Sequence, residues 1–94
     1  MTYGVLFEDA DDGGVGAYLP DVPGLGVVGR DRNEARTLIN EGLQFHVEGM
    51  IEGGEPLPQP SDLGAFTDTV ELDPALVRLA KAAGRLPQTP PQEA

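Results

Sequence analysis

Cysteine and tryptophan are absent from the 94 residues, and histidine and serine occur once each, as His46 and Ser61. No disulfide and no cysteine-ligated metal can brace the fold. Nucleophilic catalysis has little to draw on, because there is no thiol and Ser61 lies in a proline-rich connector. Positive charge is scarce too. Six Lys and Arg face sixteen Asp and Glu, for a formal charge of −10. The cations are scattered over Arg30, Arg32, Arg36, Arg78, Lys81 and Arg85, whereas nucleic-acid binding by counterion release needs them clustered. An acidic chain of this kind attracts basic protein partners, although surplus negative charge also simply keeps a small domain in solution. No apolar run reaches the roughly 18 residues of a membrane span. The opening MTYGVLFEDADD lacks the basic start and cleavage site of a signal peptide. A cytoplasmic protein is the expectation.

What is present is enough for one small α+β domain, expected over residues 1–84, with a proline-rich disordered tail at 85–94. A core this size is marginal, and oligomerisation is a common remedy. Tyr3, Val5 and Phe7 alternate along a first strand, and Val15, Ala17 and Leu19 along a second. The turn formers Asp9 to Gly14 join them as a hairpin. After Pro20-Asp21-Val22-Pro23-Gly24, the run Leu25 to Val28 predicts a short third strand suited to a sheet edge. Asp31 and Glu34 have capping-box spacing. Ala35, Leu38, Ile39, Leu43, Val47 and Met50 then predict an amphipathic helix to about Glu52, ended by Gly53-Gly54. Gly42 and Gly49 lie on its apolar side, which suggests close approach to the sheet. Glu55 to Pro60 is an extended proline-rich connector, Thr67 to Leu72 a fourth strand, and Asp73-Pro74 opens a second helix that Gly84 ends. The fold class is a three-stranded antiparallel meander, a helix, a fourth strand and a short C-terminal helix, β-β-β-α-β-α.

Few residues carry recognisable chemistry. Read as a calcium loop from Asp9, position 5 is Gly13 and position 12 is Pro20, so two ligands fail and turn chemistry explains the run better. Glu8, Asp9, Asp11 and Asp12 could hold Mg²⁺ for a nuclease, but such sites draw carboxylates from separated elements and these four share one local run. Nothing in the sequence shows Asp68, Glu71 and Asp73 completing the cluster across the sheet. His46, read as lying on the apolar helix face, is expected to be a neutral packing residue. No cofactor and no metal are expected. Glu34, Glu41, Glu48 and Glu52 fall on the opposite helix face, as a solvated surface or as an acidic stripe for a basic partner. The candidate partner-binding residues are Asp9, Asp11, Asp12, Glu34, Glu41 and Glu48.

In order along the chain come Phe7-Glu8-Asp9, Asp12-Gly13-Gly14, Ala17 to Gly24, Gly29 to Ala35, His46-Val47-Glu48 and Gly54 to Pro60. This ordered set, with Pro20-Asp21-Val22-Pro23-Gly24 and Gly54-Glu55-Pro56-Leu57-Pro58-Gln59-Pro60 as its strongest segments, resembles the HicB-like antitoxins of bacterial HicA–HicB toxin–antitoxin pairs. The resemblance implies a partial ribonuclease-H-like sheet without that fold's catalytic acids, and a homo-oligomer, dimer or tetramer. It also implies a non-enzymatic protein that neutralises a small basic, mRNA-cleaving HicA-like toxin by binding it. Thr69 to Ala82 resembles the strand and first helix of the ribbon-helix-helix that many such antitoxins add, but prolines 87, 90 and 91 stand where a second helix would follow. DNA binding by this chain is therefore not expected. The alternatives are an orphan binding module with this domain alone, a metal-dependent nuclease of ribonuclease-H-like ancestry and a DNA-binding regulator with a truncated ribbon-helix-helix.

Overall fold

The structure, a computed structural model, describes residues 1–62, 64 and 66–87. Four strands form one antiparallel sheet: β1 (Thr2–Asp9), β2 (Val15–Tyr18), β3 (Gly26–Gly29) and β4 (Asp68–Glu71), in the order β3-β2-β1-β4. Helix α1 (Arg32–Glu52) follows β3, and α2 (Pro74–Ala82) follows β4. The α+β class and the meander are as the residue pattern predicts, and β3 is indeed an edge. Pairing of Tyr3 with Val70, Phe7 with Ala17, and Ala17 with Val27 fixes the register, so alternate residues turn the same way.

One sheet face is covered by α1. Tyr3, Val5, Ala17 and Val70 meet Ala35, Ile39, Leu43 and Val47 of the helix, all buried, and Leu19, Val22, Leu57, Leu72 and Ala80 close the core. The buried helix positions recur every four residues, which is the stripe an amphipathic helix presents to a sheet. Gly42 lets the helix flank sit on the third-strand side, since a Cβ there would lie 3.1 Å from Leu25 Cδ1. Gly49 does not share that role. It is exposed, with nothing within 4 Å of where its Cβ would be.

The caps form as the spacing predicts, with one difference. Asp31 accepts the Glu34 N–H at 2.8 Å, and Asp73 accepts the Ala75 N–H at 2.9 Å. The Glu34 carboxylate reaches past the cap residue to Arg30, taking its backbone N–H and its guanidinium Nε–H, both at 2.9 Å. The Pro-Asp-Val-Pro-Gly segment is two successive turns. The Val22 N–H donates to the Leu19 carbonyl and the Leu25 N–H to the Val22 carbonyl, with Gly24 at φ +86°. Proline at the second position and glycine at the third is the combination a type II turn requires.

The connector after α1 is tied down along its length. The Leu57 N–H donates to the Arg85 carbonyl at 2.7 Å, and the Tyr3 hydroxyl to the Pro58 carbonyl at 2.8 Å. The Ser61 N–H and hydroxyl both donate to the Asp21 carboxylate, at 2.8 and 2.6 Å. Of the segment expected as a tail, Arg85 donates its backbone N–H to the Ala80 carbonyl and Leu86 packs against the core. Residues 88–94 of that expectation lie outside the described residues.

Candidate functional site

The second face of the sheet is largely open. Alternation places Gly4, Leu6 and Glu8 on it, beside Gly16, Tyr18, Gly26 and Val28. Val28 is 66% exposed and Leu6 38%. The Phe66 ring occupies the space beside Gly4 where a side chain would stand. β3 carries no Lys or Pro, and among the described residues no strand pairs along its outer side, which leaves backbone donors and acceptors there for further pairing.

The carboxylates singled out from the sequence separate into two places. Asp9, Asp11 and Asp12 are exposed around the β1–β2 turn. That turn is held by the Ala10 N–H on the Gly14 carbonyl and the Gly14 N–H on the Asp12 carboxylate, with Gly13 at φ +90°. Asp12 and Glu34 border one shallow cleft with Arg30, where the Arg30–Glu34 ion pair offsets one of the negative charges. Glu41 and Glu48 instead stand on the exposed side of α1, with Glu52. The structure therefore brings Asp12 and Glu34 to one cleft at the start of α1, with Glu41 and Glu48 farther along the same side of the helix.

Phe45 lies amid these helix carboxylates and is 80% exposed. By helical geometry Glu41 is four residues before it, and Glu48 and Gly49 follow three and four after, so all three are its surface neighbours. Beside Phe45 opens a cleft of about 550 Å³ between α1 and the Val22-Pro23 turn, floored by Val22, Met50 and Pro58. His46 forms part of its wall and Glu55 stands at its rim. His46 is thus half-buried at the flank of the helix stripe rather than inside the core. The buried set steps from Leu43 to Val47, and His46 falls one residue short of it.

Of the acids considered for a nuclease site, Asp68, Glu71 and Asp73 have other partners. Asp68 receives Arg32 and Arg36, which hold its carboxyl below the usual carboxylate range, the Arg36 hydrogen bond being the largest cause. The Arg32 guanidinium also lies 4.2 Å above the Phe7 ring centroid. Glu71 takes the Thr2 hydroxyl, and Asp73 caps α2. Among the described residues, no three His, Cys, Asp or Glu side chains come together as a metal cage, and no helix is long and apolar enough to cross a membrane. The other perturbed group is Tyr3, whose hydroxyl is pushed up to about 12 by burial first and the nearby Asp21 charge second.

Sequence reasoning passed over Phe45 and the Asp21–Ser61 pair. An aromatic residue between helix glutamates was the available signal for the first. The second joins residues 40 apart and had no local signal.

The profile described as "HicB_like antitoxin of bacterial toxin-antitoxin system" matches residues 3–85. An uncharacterized 14.9 kDa protein from the rep-hol intergenic region of Haemophilus phage HP1 (strain HP1c1) is 35% identical over 71 residues. That match covers 76% of this chain and 53% of the phage protein, so the chain spans about half the length of this relative. The N-terminal domain of Burkholderia pseudomallei antitoxin HicB superposes with a TM-score of 0.69 at 24% identity, over 78% of this chain and 99% of that domain. The B. pseudomallei antitoxin HicB itself gives 0.69 at 21% identity, over 100% of this chain and 73% of the other. At those identities the two crystal structures establish the shared fold, and the profile establishes the kinship: the chain belongs to the HicB-like antitoxin family of bacterial toxin–antitoxin systems.

Proposed function

We propose that this protein is a cytoplasmic, non-catalytic antitoxin that binds a small basic HicA-type toxin and blocks its cleavage of mRNA. The observation that carries the reading is the family match over residues 3–85. The surface supports it. The Asp9, Asp11 and Asp12 turn and the Glu41 and Glu48 side of α1 are exposed carboxylates facing solvent, so a basic partner is drawn in and held close by opposite charge. Glu34 contributes less, because Arg30 already pairs with it. The chain works without cofactor or metal, and with a charge of −10 it does not bind DNA unaided.

The assembly that fits this reading is a dimer made at β3. A second copy pairing antiparallel with the free β3 edge satisfies its backbone groups and covers the Val28 side chain. The acidic turn and the outer side of α1 remain available to the partner.

The decisive experiment is growth rescue. Any small basic protein encoded beside this gene is expressed with and without this chain. Arrest by that protein alone and recovery on co-expression support the antitoxin reading. Arrest that persists, with no complex on co-purification, overturns it.

A further inference from the structure

We infer that the cleft between α1 and the Val22-Pro23 turn, with Phe45 on its lip, is where the toxin anchors, by an apolar side chain flanked by lysine or arginine. This rests on the antitoxin reading and says which part of the surface holds the partner.

Three independent features meet there. Phe45 is a large apolar side chain left 80% exposed on a helix whose neighbouring turns bury theirs. Exposed aromatics at the edge of an apolar depression are the residues that dominate binding energy in protein interfaces. Gly49, at the cleft wall, is a second unexplained choice. Among the described residues nothing lies within 4 Å of where its Cβ would be, so no packing demand seen there excludes alanine, the better helix former. A side chain at 49 would fill the cleft, and glycine keeps it open.

The third feature is charge, and it selects the occupant. Glu41 and Glu48 flank Phe45 on the helix surface, Glu52 lies one turn beyond Glu48, and Glu55 stands at the rim. Among the described residues, no Lys or Arg lines the cleft. Arg30 is paired with Glu34, and Arg32 and Arg36 with Asp68, while Arg85 lies against Gly54 at the end of the helix. A second copy of this chain would set one glutamate stripe against another, which is repulsive. A basic segment is attracted, and its apolar side chain finds Val22, Met50 and Pro58 as a floor.

The test titrates any purified small basic protein encoded beside this gene into wild-type chain and into Phe45→Ala, Gly49→Leu, Phe45→Leu and Leu79→Ser. Thermal unfolding monitors that each variant is folded. Phe45 is exposed, and among the described residues nothing lies within 4 Å of a Cβ at 49, so the fold is expected to persist. Affinity is expected to fall at least tenfold in Phe45→Ala and Gly49→Leu, to recover largely in Phe45→Leu, and to stay unchanged in Leu79→Ser on the exposed side of α2. Wild-type binding that survives intact in both cleft variants overturns this site while leaving the antitoxin reading standing. The absence of a neighbouring basic protein, or of any wild-type binding to it, overturns the antitoxin reading and this site with it.

Discussion

The hydroxyl of Tyr3, on the first strand, donates a 2.8 Å hydrogen bond to the carbonyl of Pro58, fifty-five residues away in the connector. The strand ring is wholly buried, and its polar tip fixes a segment that otherwise has no sheet or helix to hold it. Tyr3→Phe keeps the ring and removes the tie, so it is expected to cost about 1 kcal/mol, measured by urea unfolding at neutral pH. The same variant changes behaviour in alkali. The Tyr3 hydroxyl ionises near 12 in the folded chain against a usual 10, so the unfolded chain gives up its proton first. The Tyr3 contribution is therefore complete below pH 10 and disappears as pH rises toward 12. Wild type should lose stability across that interval more steeply than Tyr3→Phe, and equal slopes would contradict the assignment.

Asp68 gives the opposite pH dependence. Its carboxyl is held below the usual range by Arg36 and Arg32, so the unfolded chain takes up the proton first as pH falls. The Asp68 contribution is present above the usual carboxylate value of 3.8 and is lost as pH drops through the lower folded value. Asp68→Asn should be less stable than wild type at pH 7 and converge on it toward pH 2. Differential scanning calorimetry at a series of pH values reads this as two melting curves that close up in acid.

Two glycines are expected to respond with opposite sign. At Gly29 an added Cβ would sit 2.5 Å from the Ala35 nitrogen, where the chain turns from β3 into α1. Backbone cannot yield there, so Gly29→Ala should destabilise by about 1–3 kcal/mol. At Gly49 the space is open, and Gly49→Ala should stabilise α1 by about 1 kcal/mol. Chemical denaturation of the two variants beside wild type decides both.

Self-association through β3 predicts a specific lesion. Val28→Lys places a charge on the exposed edge strand and is expected to shift a dimer to monomer in light scattering, with circular dichroism unchanged. An unaltered mass, or a monomeric wild type, would remove β3 as the interface.

Association with a basic partner should weaken as salt rises. Exposed carboxylates act over roughly 8–10 Å at physiological ionic strength, and added salt shortens that reach. Raising sodium chloride from low to high concentration should slow association more than it speeds dissociation, read by stopped-flow mixing of the two proteins.

The element order was legible because its signals are local. Asp31 and Asp73 announce their helices within three residues, and Pro23-Gly24 dictates a turn whatever surrounds it. The α1 stripe was read mostly correctly, since four-residue spacing brings Ala35, Ile39, Leu43 and Val47 onto one side. His46 was misjudged by a single position, because periodicity specifies a face but not where the sheet beneath it stops. The Asp21–Ser61 and Tyr3–Pro58 ties and the capture of Asp68 by two arginines join distant segments, and spacing carries no trace of them. The acidic positions were visible as charges, but their division into a turn cluster and a helix side depends on how α1 lies across the sheet. Phe45 was passed over because a helix pattern records which residues turn inward, and this one matters by turning outward.

The pairing of β1 with β4 also orders events during synthesis. Thr2 to Val5 find their second neighbour in Asp68 to Glu71, and the Leu72 N–H closes on the Met1 carbonyl. The first strand to leave the ribosome can therefore engage β2 at once but must wait for nearly the whole domain before its other side is sealed. Contacts of such sequence separation form slowly, and a strand with one side unsealed invites aggregation and proteolysis in the meantime. A chain cut before Asp68 thus leaves Thr2 to Val5 without the β4 partner that seals that side of β1.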